Sequence, residues 1–176
     1  MKTLKLCIKD KHCKVLDQLA SEVNFVWNYV NDLSFKHLKR TGDFFSAFDM
    51  AKYTKGTSKL GGLHSQTVDA IREEYAGKRK QFRKAKLKWR VSNKKSARPS
   101  LGWIPFKKSG INYADGYVQY GKQKFNLWDS YGIGKYSVRT GSFVEDSRGR
   151  WYVCLVVDSL KLRNPPPPKR SGLIWA

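Results

Sequence analysis

Apolar and polar residues alternate at the start of the chain, with Leu4, Leu6 and Ile8 on one side of the alternation. A period of two is that of a strand half buried against a core. After a turn over Asp10–His12 the rhythm changes. Over residues 14–40, Leu16, Leu19, Val23, Val26 or Trp27, Val30, Leu33 and His37 recur at steps of three and four, which places them on one helical face. Lys39-Arg40-Thr41 before Gly42 marks the end of that helix: cations favour the negative end of its dipole, and glycine takes the closing left-handed conformation. His37, alone on its face, reads as a packing residue. A short second helix is expected over 46–55, with Ser46 as its cap and Asp49 completing an acidic variant of the capping box. A loop from Gly56 to Gly62 follows. Ser65 then caps a long third helix that runs to about Arg90, with Val68, Ile71, Tyr75, Phe82 and Trp89 facing inward. The last three rings lie seven residues apart, about two helical turns.

Residues 92–100 are a basic linker, and beyond them the pattern becomes that of strands. Short runs rich in aromatic and β-branched residues cover Trp103–Phe106, Ile111–Tyr113, Tyr117–Tyr120, Lys124–Trp128, Tyr136–Arg139, Ser142–Glu145 and Trp151–Val157. Turns are expected at Asp115-Gly116, Gly121, Gly132, Gly141 and Arg148-Gly149, with hairpin tips at the first and last. Such spacing predicts a small antiparallel barrel or sandwich. A lone first strand cannot satisfy its own backbone and must pair with the later sheet. The fold class is therefore α+β, with the helices inserted into a β structure. Residues 1–10 with 100–160 form the β part, 11–99 the helical insertion, and 161–176 a proline-rich tail that Pro165–Pro168 hold in an extended polyproline form.

Composition changes the picture through charge. The 176 residues carry a formal net charge of +21, far more than solubility needs. Charge of this size self-repels and calls for a partner that supplies anions. Nucleic acid fits that partner better than an anionic membrane, because the chain has no long apolar run and no lipidation motif. The start, Met-Lys-Thr-Leu-Lys-Leu-Cys, is too short and too charged for a signal peptide. Cys7, Cys13 and Cys154 form no zinc-type spacing and read as free thiols of a reducing cytoplasm.

The cations concentrate between Arg72 and Arg98, where no acidic residue follows Glu74. Lys78, Arg79, Lys80, Arg83, Lys84, Lys86, Lys88, Arg90, Lys94, Lys95 and Arg98 are the candidate phosphate-binding residues, extended by Lys107 and Lys108 after the Trp103–Phe106 strand. In a continuous helix these like charges repel at i,i+4, so a polyanion must offset them. Trp103, Tyr113, Tyr117, Tyr120, Trp128, Tyr131 and Trp151 offer faces for unpaired bases, although at least half of such rings serve a core. Phe125, Phe143 and Trp151 alternate as core residues do. Ser65 and Gln66 at a helix start are types that read a DNA groove, with capping the simpler role.

No catalytic constellation, metal site or cofactor site is read from the sequence. The fourteen carboxylates are scattered, and no βαβ pattern presents them to a pair of metal ions. No P-loop occurs, and Gly132-Ile133-Gly134 lacks the third glycine and following helix of a dinucleotide site.

Phe25-Val26-Trp27-Asn28-Tyr29-Val30, Lys39-Arg40-Thr41-Gly42 and His64-Ser65-Gln66-Thr67 resemble the N-terminal half of the TnpB (OrfB) proteins of bacterial insertion sequences, the ancestors of type V CRISPR effectors. Ser100–Phe106, Leu127–Gly132, Gly141-Ser142-Phe143 and Asp146–Tyr152 extend the resemblance over about residues 1–157. It implies a wedge-like antiparallel β-barrel interrupted by a helical recognition domain, which together grip guide or scaffold RNA and help to read a short motif beside a DNA target. The positions matching the motif-reading region are Ser46, Ala47 and Phe48, and Ser65, Gln66 and Thr67. The family continues into a RuvC-like nuclease and a zinc-binding insert, whereas Val157 is followed here by Asp158-Ser159-Leu160 and the prolines. No catalytic role is carried onto Asp158.

The expectation is a nuclease-lacking, guide-RNA-binding protein of bacterial cytoplasm, encoded by the bacterium or by a phage or other mobile element. It would interfere with an intact RNA-guided nuclease, as an anti-CRISPR does, or assist one. The alternative is an RNA-guided or motif-reading DNA-binding transcriptional regulator. A nuclease subunit completed in trans and a decayed fragment are the remaining readings.

Overall fold

The computed structural model describes residues 1–158; the tail over 161–176 and the end of the 100–160 unit lie outside them. The strands are β1 (Lys2–Ile8), β2 (Trp103–Lys107), β3 (Ile111–Ala114), β4 (Tyr117–Tyr120), β5 (Gln123–Trp128), β6 (Val138–Glu145) and β7 (Trp151–Val157). They form one seven-stranded sheet in the order β2-β6-β7-β1-β5-β4-β3, antiparallel at every pairing. The first strand sits in the middle, with Leu4 opposite Leu155 on β7 and Ile8 opposite Leu127 on β5.

The two edges, β2 and β3, are consecutive in the chain and joined by a single 3-10 turn, Lys108–Gly110. The sheet therefore curls until its edges approach. Tyr113 on β3 helps to bridge the gap: its hydroxyl donates to the Tyr136 carbonyl at 2.8 Å and accepts from the Val138 amide at 3.2 Å, at the start of β6. The result is a nearly closed barrel in an α+β fold. Phe125, Phe143 and Trp151 fill its interior as their alternation requires.

The helices are α1 (Cys13–Thr41), α2 (Ala51–Thr54), α3 (Thr57–Leu60) and α4 (Ser65–Gln81). The 29-residue α1 stops where the sequence says it should: Gly42 has φ +82° and its amide donates to the Leu38 carbonyl. The helices and the barrel share one apolar core. Trp27 of α1 joins them, packing edge-on against Tyr75 of α4 at 5.5 Å and Trp103 of β2 at 6.0 Å. His37 stacks on Phe45 at 3.6 Å, a packing role.

Several expectations are corrected. The second helix is reduced to α2, preceded by turns over 47–50, although Ser46 and Asp49 do form the expected reciprocal cap. The Gly56–Gly62 loop contains α3. Ser65 does not cap the third helix; His64 does, its Nδ1 accepting from the Gln66 amide at 3.2 Å. Gly141 is not a turn but lies inside β6, beyond a register irregularity between Val138 and Thr140. A side chain there would run into the Cys154 carbonyl and the Phe106 ring, so the close approach of β7 requires glycine.

The largest correction concerns the third helix, which ends at Gln81 rather than near Arg90. The Arg83 amide bonds the Lys80 carbonyl and the Lys84 amide bonds the Arg79 carbonyl. This is a Schellman closure, with Arg83 at φ +51° in the place usually taken by glycine. Two forces favour the break. Continuing the helix would place Lys80 over Lys84, Lys84 over Lys88 and Lys86 over Arg90, all repulsive i,i+4 pairs. The extended form gains backbone partners on α1. Of the aligned rings only Tyr75 faces the core, at 0% exposure; Phe82 is 55% and Trp89 52% exposed.

Candidate nucleic-acid interface

Beyond Arg83 the chain runs extended along α1, held by a stripe of asparagines at helical spacing. Asn31 donates to the Leu87 carbonyl at 2.8 Å and accepts from the Leu87 amide at 3.0 Å. Asn28 treats Arg90 in the same way, at 2.8 Å for each bond. Asn24 donates to the Ser92 hydroxyl and accepts from the Arg90 guanidinium. The Trp27 indole donates to the Lys88 carbonyl at 3.4 Å. Each primary amide presents a donor and an acceptor, as a peptide group does, so α1 offers this segment what a neighbouring strand would. Asparagine is a poor former of helix interiors. Its recurrence at positions 24, 28 and 31 was the available signal of this contact, and sequence reasoning passed over it.

The same contacts divide the cations. Arg79 is buried, donating to the Ser34 hydroxyl and the Phe45 carbonyl, with its guanidinium 4.3 Å from the Phe44 ring centroid. Arg90 donates to Asn24 and to the Leu101 carbonyl, and lies between Trp27 and Trp103. Burial pushes both guanidinium pKa values down, against a high starting value that keeps them charged. Lys94 bridges Asp17 and Glu145, tying the linker to α1 and β6. Burial works against its ammonium, but the hydrogen bonds and charges of the two carboxylates prevail and raise its pKa. Lys78 pairs with Glu74 and Lys107 with Glu73.

Among the described residues, no carboxylate lies within salt-bridge distance of Lys80, Arg83, Lys84, Lys86, Lys88, Lys95, Arg98 or Lys108. Phe82, Lys84, Lys88, Trp89 and Arg98 line a groove of about 660 Å³ whose floor includes Trp27 and Leu87. Lys86 sits 5.4 Å from the centroid of Trp89. The structure thus gathers unpaired cations and exposed rings on one backbone.

The motif-reading candidates are separated. Ser46 and Ala47 line a second groove, of about 650 Å³, with Lys80, Arg83 and Lys84 at the C-terminal end of α4, and Phe48 is exposed nearby in sequence. Ser65, Gln66 and Thr67 lie at the opposite end of that helix. Gln66 shares a surface hollow with Lys107 and Lys108. Thr67 is buried and hydrogen-bonded to the Tyr120 hydroxyl at 2.7 Å, which also accepts from the His64 amide. It joins α4 to the barrel and is inaccessible to a base.

The acidic residues serve turns and pairs. Asp146 accepts from the Arg148 and Arg150 amides and from the Arg150 guanidinium in the β6–β7 hairpin. Asp158 accepts from Arg139. Among the described residues no His, Cys, Asp and Glu group is placed to hold a metal ion, and no helix is long and apolar enough to cross a membrane. Compared with protein-family models and with curated proteins, the chain matches none.

Proposed function

We propose that this chain binds RNA through the Lys78–Arg98 segment, with the barrel and helices as the scaffold that presents it. The observation that carries the reading is the set of cations without acidic partners, interleaved with the exposed Phe82 and Trp89, on a backbone tied from behind by asparagines. The cations neutralise phosphates, and rings half open to solvent stack on unpaired bases. Folded RNA offers both features, whereas the bases of an intact DNA duplex are out of reach of the rings. Tying down the backbone in advance lowers the ordering cost of binding.

The resemblance to TnpB supports a narrower form of the proposal. The RNA is then the guide or scaffold RNA of an RNA-guided nuclease, and the protein inhibits or assists that nuclease in the cytoplasm of a bacterium, encoded there or by a phage or other mobile element. A second reading, a regulator that reads a short DNA motif, is favoured only by the position of Ser46 and Ala47 beside Lys80, Arg83 and Lys84.

The test is to purify the protein from bacteria, sequence the nucleic acid that travels with it, and compare its affinity for scaffold RNA, a shuffled RNA of equal length and duplex DNA at physiological salt. Co-purifying RNA and a preference for scaffold RNA are expected. Absence of co-purifying RNA together with equal affinity for the shuffled sequence overturns the RNA reading. Tightest binding to duplex DNA would establish the second reading in its place.

A further inference from the structure

We infer that the open edge of β3 is a docking site for an acidic, extended peptide of a partner protein, which adds to the sheet as a further strand. β3 is the last strand of the sheet and pairs with β4 alone. Along an antiparallel edge, alternate residues turn their amides and carbonyls away from the one neighbour they have. The contacts on the far side of β3 use side chains instead. The Tyr113 hydroxyl takes the Tyr136 carbonyl and the Val138 amide, and the Asp115 carboxylate, just beyond the strand, accepts from the Gly134 amide at 2.9 Å. Among the described residues no hydrogen bond reaches the backbone of Ile111–Ala114 from that side. Ile-Asn-Tyr-Ala holds neither the charge nor the proline that discourages a new neighbour. β2, the opposite edge, is packed against α4.

Charge selects the occupant. Beside the edge lies a hollow of about 710 Å³, whose lining includes Gln66, Lys107, Lys108, Asn112 and Arg139. Lys108 and Arg139 are exposed, as is Asn112 on the strand itself, whereas Ile111 is buried. Among the described residues no carboxylate lies within salt-bridge distance of Lys108. Lys107 and Arg139 are held only by Glu73 and Asp158, in partly exposed pairs that contribute little and exchange for an incoming carboxylate at small cost. A strand matching the four residues of β3 spans roughly 13 Å. An acidic peptide of that length answers both features, with its main chain for the ladder and its carboxylates for Lys108 and Arg139. A nucleic acid answers only the cations, because it has no amide ladder to offer. The one aromatic ring lining the hollow, Tyr113, is half-buried and tied through its hydroxyl, unlike the open rings of Phe82 and Trp89. The chain's own residues after Asp158 include Lys161, Arg163, Lys169 and Arg170 and no acidic residue, which is the wrong charge for this edge. The site uses no residue of the Lys78–Arg98 segment and goes beyond the function proposed for it.

The experiment follows backbone amide NMR shifts of the full chain during titration with a capped octapeptide of alternating Glu and Val. Shifts are expected at Lys108–Ala114 and Arg139. The same peptide N-methylated at every amide keeps the charge but loses its ladder donors, and is expected to bind at least about tenfold more weakly. Lys108→Glu combined with Arg139→Gln should weaken the parent peptide about fivefold, the size expected for two exposed ion pairs. Should that variant unfold, the methylated peptide on the wild-type protein still decides the matter. Equal affinity for the two peptides overturns strand addition, as does the absence of binding by either or a set of shifts confined to Lys78–Arg98. Oligouridylate or oligodeoxythymidylate of equal charge serves as the competing probe: if either shifts the Ile111–Ala114 amides as strongly as the peptide does, the hollow takes nucleic acid and the peptide site falls.

Discussion

Asn28 on α1 holds both backbone polar groups of Arg90, donating to its carbonyl and accepting from its amide at 2.8 Å each. A side chain here does the work of a neighbouring strand, sixty-two residues away in sequence. Replacing it with alanine leaves the Arg90 amide and carbonyl without their partner. Leaving such groups unsatisfied costs about 1–3 kcal/mol. Asn28→Ala should therefore lower stability by that amount and speed hydrogen exchange at the Arg90 amide more than at amides of β7. Unchanged exchange at Arg90 would show that the segment is held by something else.

Arg83 adopts a left-handed backbone, φ +51°, where a side chain adds strain of about 1 kcal/mol. Arg83→Gly should remove that strain and a phosphate-binding cation together. Thermal unfolding is expected to occur at the same or a higher temperature while RNA affinity falls. A variant less stable than the parent would contradict the Schellman closure described for α4.

The rings once aligned on a single expected helix now separate by role. Tyr75 is buried, and its hydroxyl donates to Asn31 Oδ1 at 3.2 Å. Tyr75→Ala should cost about 3–5 kcal/mol, as other large aromatic deletions in cores do. Trp89→Ala should change stability by no more than about 0.5 kcal/mol, as surface substitutions do, yet weaken RNA binding. Denaturant unfolding and anisotropy on the same samples give both readings.

Asp146 supplies a pH test. Hydrogen bonds from the Arg150 backbone lead the causes that hold its carboxyl down to about 2, with the Arg150 side chain and the Arg148 amide adding to them. A folded value below the unfolded one, about 3.9, means that the stabilising contribution is present above pH 4 and is lost as pH falls towards 2. An NMR titration should place the Asp146 midpoint near 2, and Asp146→Asn should flatten the acid limb of stability. A midpoint near 4 would mean that the hairpin contacts are not held in solution.

The barrel was legible in the sequence because each strand carries its own alternation and its own turn residues. Asp115-Gly116 and Arg148-Gly149 sit at hairpin tips, with Gly116 at φ +81° and Gly149 at φ +77°. The end of α1 was legible for the same local reason, at Gly42. The segment after Arg83 was not, because its conformation is decided by partners far away: Asn31 for Leu87, and Asp17 and Glu145 for Lys94. Periodicity continued the helix through Phe82 and Trp89, since seven-residue spacing is all that a helix face requires. Nor could composition sort Arg79 and Arg90, which serve the fold, from Lys84 and Lys88, which face solvent. That division follows from burial and partners, neither of which is written in residue type.

The most direct test of the RNA-binding segment is the salt dependence of affinity for a single-stranded RNA, compared between the wild-type protein and Lys84→Gln/Lys86→Gln/Lys88→Gln. Each phosphate contact contributes about 0.7 to the logarithmic slope for single-stranded nucleic acid. If the three lysines track the backbone, the slope should fall in magnitude by about 2, with thermal stability retained. A slope equal to that of the wild type would contradict the assignment of RNA to the Lys78–Arg98 segment.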